Sequence, residues 1–126
     1  VIKLFEEIFN RFHEKNSEIK SIGVWGKDGL VLEKRSFPKA GDADLGIDVE
    51  FSGAELADII TRLDQTRTSS ASSGTYFFKL NFHQYLLMIF SLTNDYFLLV
   101  LAGGDIIEGK LKFYLNLYKD QLIALL

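Results

Sequence analysis

The side chains able to do chemistry are few and scattered. The chain has two histidines, His13 and His83. Neither has a second His or a Cys nearby in sequence, so neither suggests a ligand pair for a metal. His13 falls on a helical pattern and His83 in a turn, and a lone His in such places reads as a surface residue. Ser69, Ser70, Ser72 and Ser73 cluster without the G-x-S-x-G context of an activated nucleophile. The absence of cysteine removes thiolate ligands, Cys nucleophiles and disulfides together. Asp44, Asp48, Ser52 and Glu55 stand at positions 1, 5, 9 and 12 of a calcium-loop count. That register puts Gly46 and Val49 where the loop needs an oxygen ligand and a glycine, so it does not describe a calcium site. Glu6, Glu7 and the carboxylates between Asp42 and Asp64 lack the defined cleft that turns two carboxylates into an acid and a base. The expectation is a chain that is not an enzyme, with no catalytic residue, no metal and no cofactor.

Charge is the more informative chemistry. The net charge is −3, which excludes nonspecific nucleic-acid binding as a main activity. Between Asp42 and Asp64 seven acids face a single base, Arg62, whereas the first 39 residues hold eight bases and six acids. Two regions of opposite sign suit a partner surface steered by electrostatics. Asp58, Arg62 and Arg67 are its candidate residues. Neither arginine has the defined geometry that an arginine finger would require.

These residues must be positioned by a small framework. At 126 residues, the chain is expected to form one domain over 1–126. Eleven Phe imply a large aromatic core, or a core plus an interface. The longest apolar runs fall short of the roughly 20 residues of a membrane span. There is no charged start followed by an apolar signal segment. A cysteine-free chain suits a reducing, cytoplasmic location.

Val1 to Lys15 predicts a helix, because Ile2, Phe5, Ile8, Phe9 and Phe12 form one stripe. Its polar face carries Glu6, Glu7 and Glu14, which suits a core-facing helix better than a membrane-surface one. Ile19–Trp25 and Leu30–Arg35 predict a hairpin joined by Gly26-Lys27-Asp28-Gly29. Ser36 to Glu50 reads as an acidic linker. Ser52 and Glu55 form a capping box for a middle helix carrying Leu56, Ile59, Ile60 and Leu63. Three strands follow, Thr75–Phe82, Tyr85–Leu92 and Tyr96–Leu101, on connections too short for parallel crossovers. The last two are apolar on both faces and belong in the interior. The first alternates, with Tyr76, Phe78, Leu80 and Phe82 on one side, and belongs at an edge. Gly103-Gly104 is expected to end the last strand and Asp105 to cap a final helix with Glu108 at N3. Ile107, Leu111, Tyr114, Tyr118, Leu122 and Leu125 form its main stripe, widened by Phe113, Leu115, Leu117 and Ile123.

This order of elements, the hairpin I-G-V-W-G-K-D-G-L-V-L-E-K, the capped middle helix and L-V-L-A-G-G-D before the last helix resemble the roadblock family. That group includes dynein light chains and bacterial regulators of Ras-like GTPases. The resemblance covers nearly the whole chain, although the Phe37–Glu50 linker is longer than in many members. It implies an α+β fold: a five-stranded antiparallel sheet with the middle helix on one face and the first and last helices on the other. It implies a homodimer, or a heterodimer with a related domain, in which middle helices and third strands meet. Carried onto this chain, the interface comprises Leu56, Ile59, Ile60, Leu63, Tyr76, Phe78, Leu80 and Phe82. The implied function is a non-catalytic scaffold that binds or regulates a small Ras-like GTPase as an accessory partner. A ligand-sensing domain of the GAF, PAS or profilin-like kind, or a longin-like trafficking module, shares the same element pattern.

Overall fold

The computed structural model describes residues 2–37, 57–58, 61, 77–82 and 84–126. Two helices, α1 (Ile2–Lys15) and α2 (Glu108–Ala124), flank five strands: β1 (Ile19–Gly26), β2 (Val31–Ser36), β3 (Phe77–Phe82), β4 (Tyr85–Ser91) and β5 (Tyr96–Gly103). The strands form one antiparallel sheet in the order β2-β1-β5-β4-β3. Two local units generate that order. A hairpin supplies β1 and β2, a meander supplies β3 to β5, and β1 pairs with β5 to join them.

The hairpin turns where its chemistry predicts. Gly29 adopts a left-handed φ of 91°, which costs glycine nothing. Asp28 Oδ1 accepts from the Leu30 amide at 3.1 Å, an Asx-type closure of the turn. The Leu30 carbonyl accepts from the Gly26 amide at 2.9 Å and Leu30 stays outside the strand, so β2 starts one residue later than expected. Leu32 is then an extra residue: Val24 faces Glu33 and Trp25 faces Val31, so the register shifts by a bulge.

The pleat sends alternate side chains to two cores. On one face Ile22, Val24, Met88, Leu98 and Val100 pack with Phe5, Ile8, Phe9 and Phe12 of α1 and with Leu111, Leu115 and Leu122 of α2. Phe5, Ile8, Phe9 and Phe12 of the expected α1 stripe are thus core. The two helices meet through an edge-on Phe12–Tyr118 pair at 5.4 Å. On the other face Trp25, Leu87, Ile89, Phe97, Leu99 and Leu101 pack with Ala57. Ala57, Asp58 and Thr61 are helical, and the Thr61 hydroxyl donates to the Lys27 carbonyl at 3.4 Å. These residues lie on the sheet face expected for the middle helix. No helix among the described residues is long and apolar enough to cross a membrane.

The start of α2 corrects the expected cap. Its N-cap is Ile107, with no side-chain hydrogen bond, rather than Asp105. The cause lies in β5, which runs on to Gly103 because Gly103 still pairs with Tyr85 and its amide reaches the Glu18 carbonyl at 2.9 Å. The Gly104 amide bonds to the Gln84 carbonyl at 2.7 Å, and Ile106 turns back onto Gly103. The chain spends Asp105 on that turn, and the helix begins later. The expected apolar stripe is also redistributed: Ile107, Phe113 and Leu117 are exposed, while Leu115 joins the core.

Candidate functional site

The sheet has two edges, and they are built differently. At β2 the edge carries Glu33, Lys34 and Arg35 beside the Leu32 bulge. Charge and a bulge are the usual devices that stop another strand from adding. At β3 the sequence is F-F-K-L-N-F, with one charge, Lys79. That charge is drawn onto the helical face, where its Nζ lies 3.2 Å from Glu108 Oε1 of α2. Among the described residues, the β3 edge carries neither the bulge nor the charges of β2.

Register with β4 settles which way each β3 residue points. Phe77, Lys79 and Asn81 stand opposite Phe90, Met88 and Leu86, on the face of α1 and α2. Phe78 and Leu80 stand opposite Ile89 and Leu87, on the face where Ala57 packs. Phe78 is 36% exposed and Leu80 51% exposed. The two form an apolar row on β3, the last strand of the sheet among the described residues. Phe82 continues the same register opposite Tyr85.

Asp58, the described member of the expected partner surface, is exposed next to buried Ala57. Leu56, Ile59, Ile60, Leu63 and Tyr76 of the expected interface lie outside the described residues. So do Arg62, Arg67, His83, the serine cluster and the Asp44–Glu55 register.

His13 departs from a plain surface residue. Its ring is half-buried and stacks on Phe37 at 4.0 Å with an interplanar angle of 2°. The Arg35 guanidinium lies 5.6 Å from the centroid of the Phe37 ring. These contacts pin the chain against α1 as it leaves β2, so His13 has a packing role that spacing alone did not reveal. Among the described residues, no group of three or more His, Cys, Asp or Glu side chains is arranged to hold a metal.

Periodicity also missed Phe77. It lies under Lys112 of α2, whose Nζ is 4.4 Å from the ring centroid. Phe113 and Leu117 are 63% and 54% exposed, on the solvent side of α2. An all-round apolar helix predicts burial for both, and only the packed layer shows which of its sides is left open.

An antiparallel sheet in this order, covered by the terminal helices on one face and by helical residues of the middle segment on the other, is the roadblock/LC7 fold. Solved structures of that class superpose on nearly the whole chain. MglC from Myxococcus xanthus matches with a TM-score of 0.63 at 19% identity, covering 98% of this chain and 99% of that one. A Roadblock/LC7 domain from Streptomyces avermitilis matches with a TM-score of 0.64 at 14% identity, covering 92% of each chain. MglB in a tetrameric arrangement matches with a TM-score of 0.71 at 11% identity, covering 98% of this chain and 88% of that one. No protein-family model matches the chain, and no curated protein does so. The resemblance read from the sequence therefore holds for the fold.

Proposed function

We propose that this chain is a single-domain, non-catalytic module that dimerises and binds or regulates a small Ras-like GTPase. The observation that carries the reading is the exposed apolar row of Phe78 and Leu80 on β3, the last strand of the sheet among the described residues, in a chain of roadblock/LC7 fold. A second copy pairing through β3 about a twofold axis closes that edge and makes one continuous sheet. Phe78 and Leu80 lie on the face that such a pairing brings together, and Phe82 shares their register. Leu56, Ile59, Ile60 and Leu63 of the middle segment, with Tyr76, complete the proposed contact. Four aliphatic side chains buried at about 1.5–3 kcal/mol each offset an association cost of about 4–15 kcal/mol. The solved tetrameric arrangement of MglB supports assembly as a habit of this fold. A heterodimer with a related domain uses the same surfaces.

The GTPase as partner rests on the family resemblance. Asp58, Arg62 and Arg67 form the proposed partner surface, and the exposure of Asp58 is consistent with that role. The chain acts in the cytoplasm as a platform, supplying a surface rather than a nucleophile.

The experiment has two arms. Light scattering after gel filtration is expected to give the mass of a dimer, and a clean monomer at high micromolar concentration sinks the interface. Purified chain is then used to capture a small GTPase from native lysate, and nucleotide hydrolysis and exchange are measured with and without it. A captured GTPase whose rates and nucleotide affinity ignore the chain rejects the regulatory reading.

A further inference from the structure

A groove of about 300 Å³ runs between β3 and α2, lined by Phe77, Phe90, Lys112, Leu115, Asn116 and Lys119. Its floor is aromatic: the Phe77 and Phe90 rings stack at 4.8 Å with an interplanar angle of 30°. Its wall is cationic. Lys112, Asn116 and Lys119 recur at helical spacing along one side of α2, so the two ammonium groups start about 10 Å apart along the axis. Glu108, one turn before Lys112, is occupied by Lys79 at 3.2 Å. No acidic side chain is among the described residues that line the groove.

We propose that this groove binds a small planar aromatic anion, its ring on Phe77 and its acidic group between Lys112 and Lys119. The ring would bury apolar area against a floor that is otherwise half open, since Phe77 is 39% exposed. The acidic group would gain two charge-assisted contacts, with the Asn116 amide as a further donor. Lys112 now sits over the Phe77 ring, a weak attraction at an exposed site. A bound anion replaces that attraction with a full opposite charge, so the lysine swings from ring to ligand. Phe77 lies on the opposite face of β3 from Phe78 and Leu80. The proposal is therefore independent of strand pairing and of any GTPase.

Amide spectra of the nitrogen-15-labelled protein test it, with phenyl phosphate as probe and inorganic phosphate and benzyl alcohol as its two halves. Saturable shifts are expected at Phe77, Phe90 and Lys112 to Lys119, with phenyl phosphate binding at least about tenfold tighter than either half. Lys112→Met with Lys119→Met keeps the stems and removes the charges, and is expected to weaken phenyl phosphate by about tenfold or more. Phe77→Leu is expected to weaken phenyl phosphate and leave inorganic phosphate unchanged. Lys119→Met alone serves if the double variant loses its dispersed spectrum. Shifts scattered over the surface, phenyl phosphate no tighter than inorganic phosphate, or unchanged affinity in the lysine variants would each overturn the proposal.

Discussion

At the scale of single residues, Gly23 is the tightest of the described glycines. A Cβ placed there would run into the Trp25 ring and lie 2.9 Å from the Glu33 carbonyl oxygen. Trp25 is fully buried, and the Glu33 oxygen is backbone, so neither gives way easily. Gly23→Ala is expected to cost about 1–3 kcal/mol, read as a lower urea midpoint. An unchanged midpoint would mean that Trp25 has room to move. Gly29 is constrained for another reason, its left-handed φ of 91°. Gly29→Ala is expected to cost about 1 kcal/mol, again by urea unfolding. The Asp-Gly pair made that turn legible in the sequence. The need for glycine at position 23 was not legible, because it arises from a ring two residues away and a carbonyl on the neighbouring strand.

At the scale of elements, the contrast between the two edge strands decides what each can do. β2 carries a bulge and three charges, and β3 an apolar row. Leu80→Lys puts a charge on the exposed row without touching the packed core. It is expected to dissociate the proposed dimer while leaving the stability of the diluted monomer within about 0.5 kcal/mol. A variant that stays dimeric moves the interface away from β3. Leu122 of α2 tests the other face, since it is fully buried in the core beneath both helices. Leu122→Ala is expected to cost about 2–5 kcal/mol in thermal or urea unfolding. A cost under about 1 kcal/mol would show that α2 docks loosely. The α1 stripe could be read from spacing alone, and α1 packs as that stripe requires. For α2 spacing was ambiguous, because apolar residues lie on most of its circumference. Phe113 and Leu117 face solvent although they match Leu111 and Leu115 in hydropathy.

At the scale of the whole molecule, the proposed dimer joins two copies of this sheet through β3 and the middle segments. Ile60→Asp places a charge in that contact and is expected to shift the population to monomer in light scattering. If the mass is unchanged, Ile60 faces solvent or its own core instead. The reading thus stands on two independent substitutions, one on β3 and one on the middle segment, and a true interface responds to both.

What the sequence determined by itself was local and periodic. Alternation of period two separated an edge strand from two buried ones, and short connections made the sheet antiparallel. A stripe at helical spacing located α1, and Asp-Gly located the hairpin turn. These signals survive because each depends on residues a few positions apart. Tertiary structure alone decided the remainder. It carried β5 on to Gly103 through pairing with Tyr85, which displaced the N-cap of α2 from Asp105 to Ile107. It stacked His13 on Phe37 across more than twenty residues of chain. It set Lys112 over Phe77 and drew Lys79 to Glu108, on the face of β3 that the terminal helices cover. Each of these is a contact between distant segments, and no local pattern encodes the distance between them.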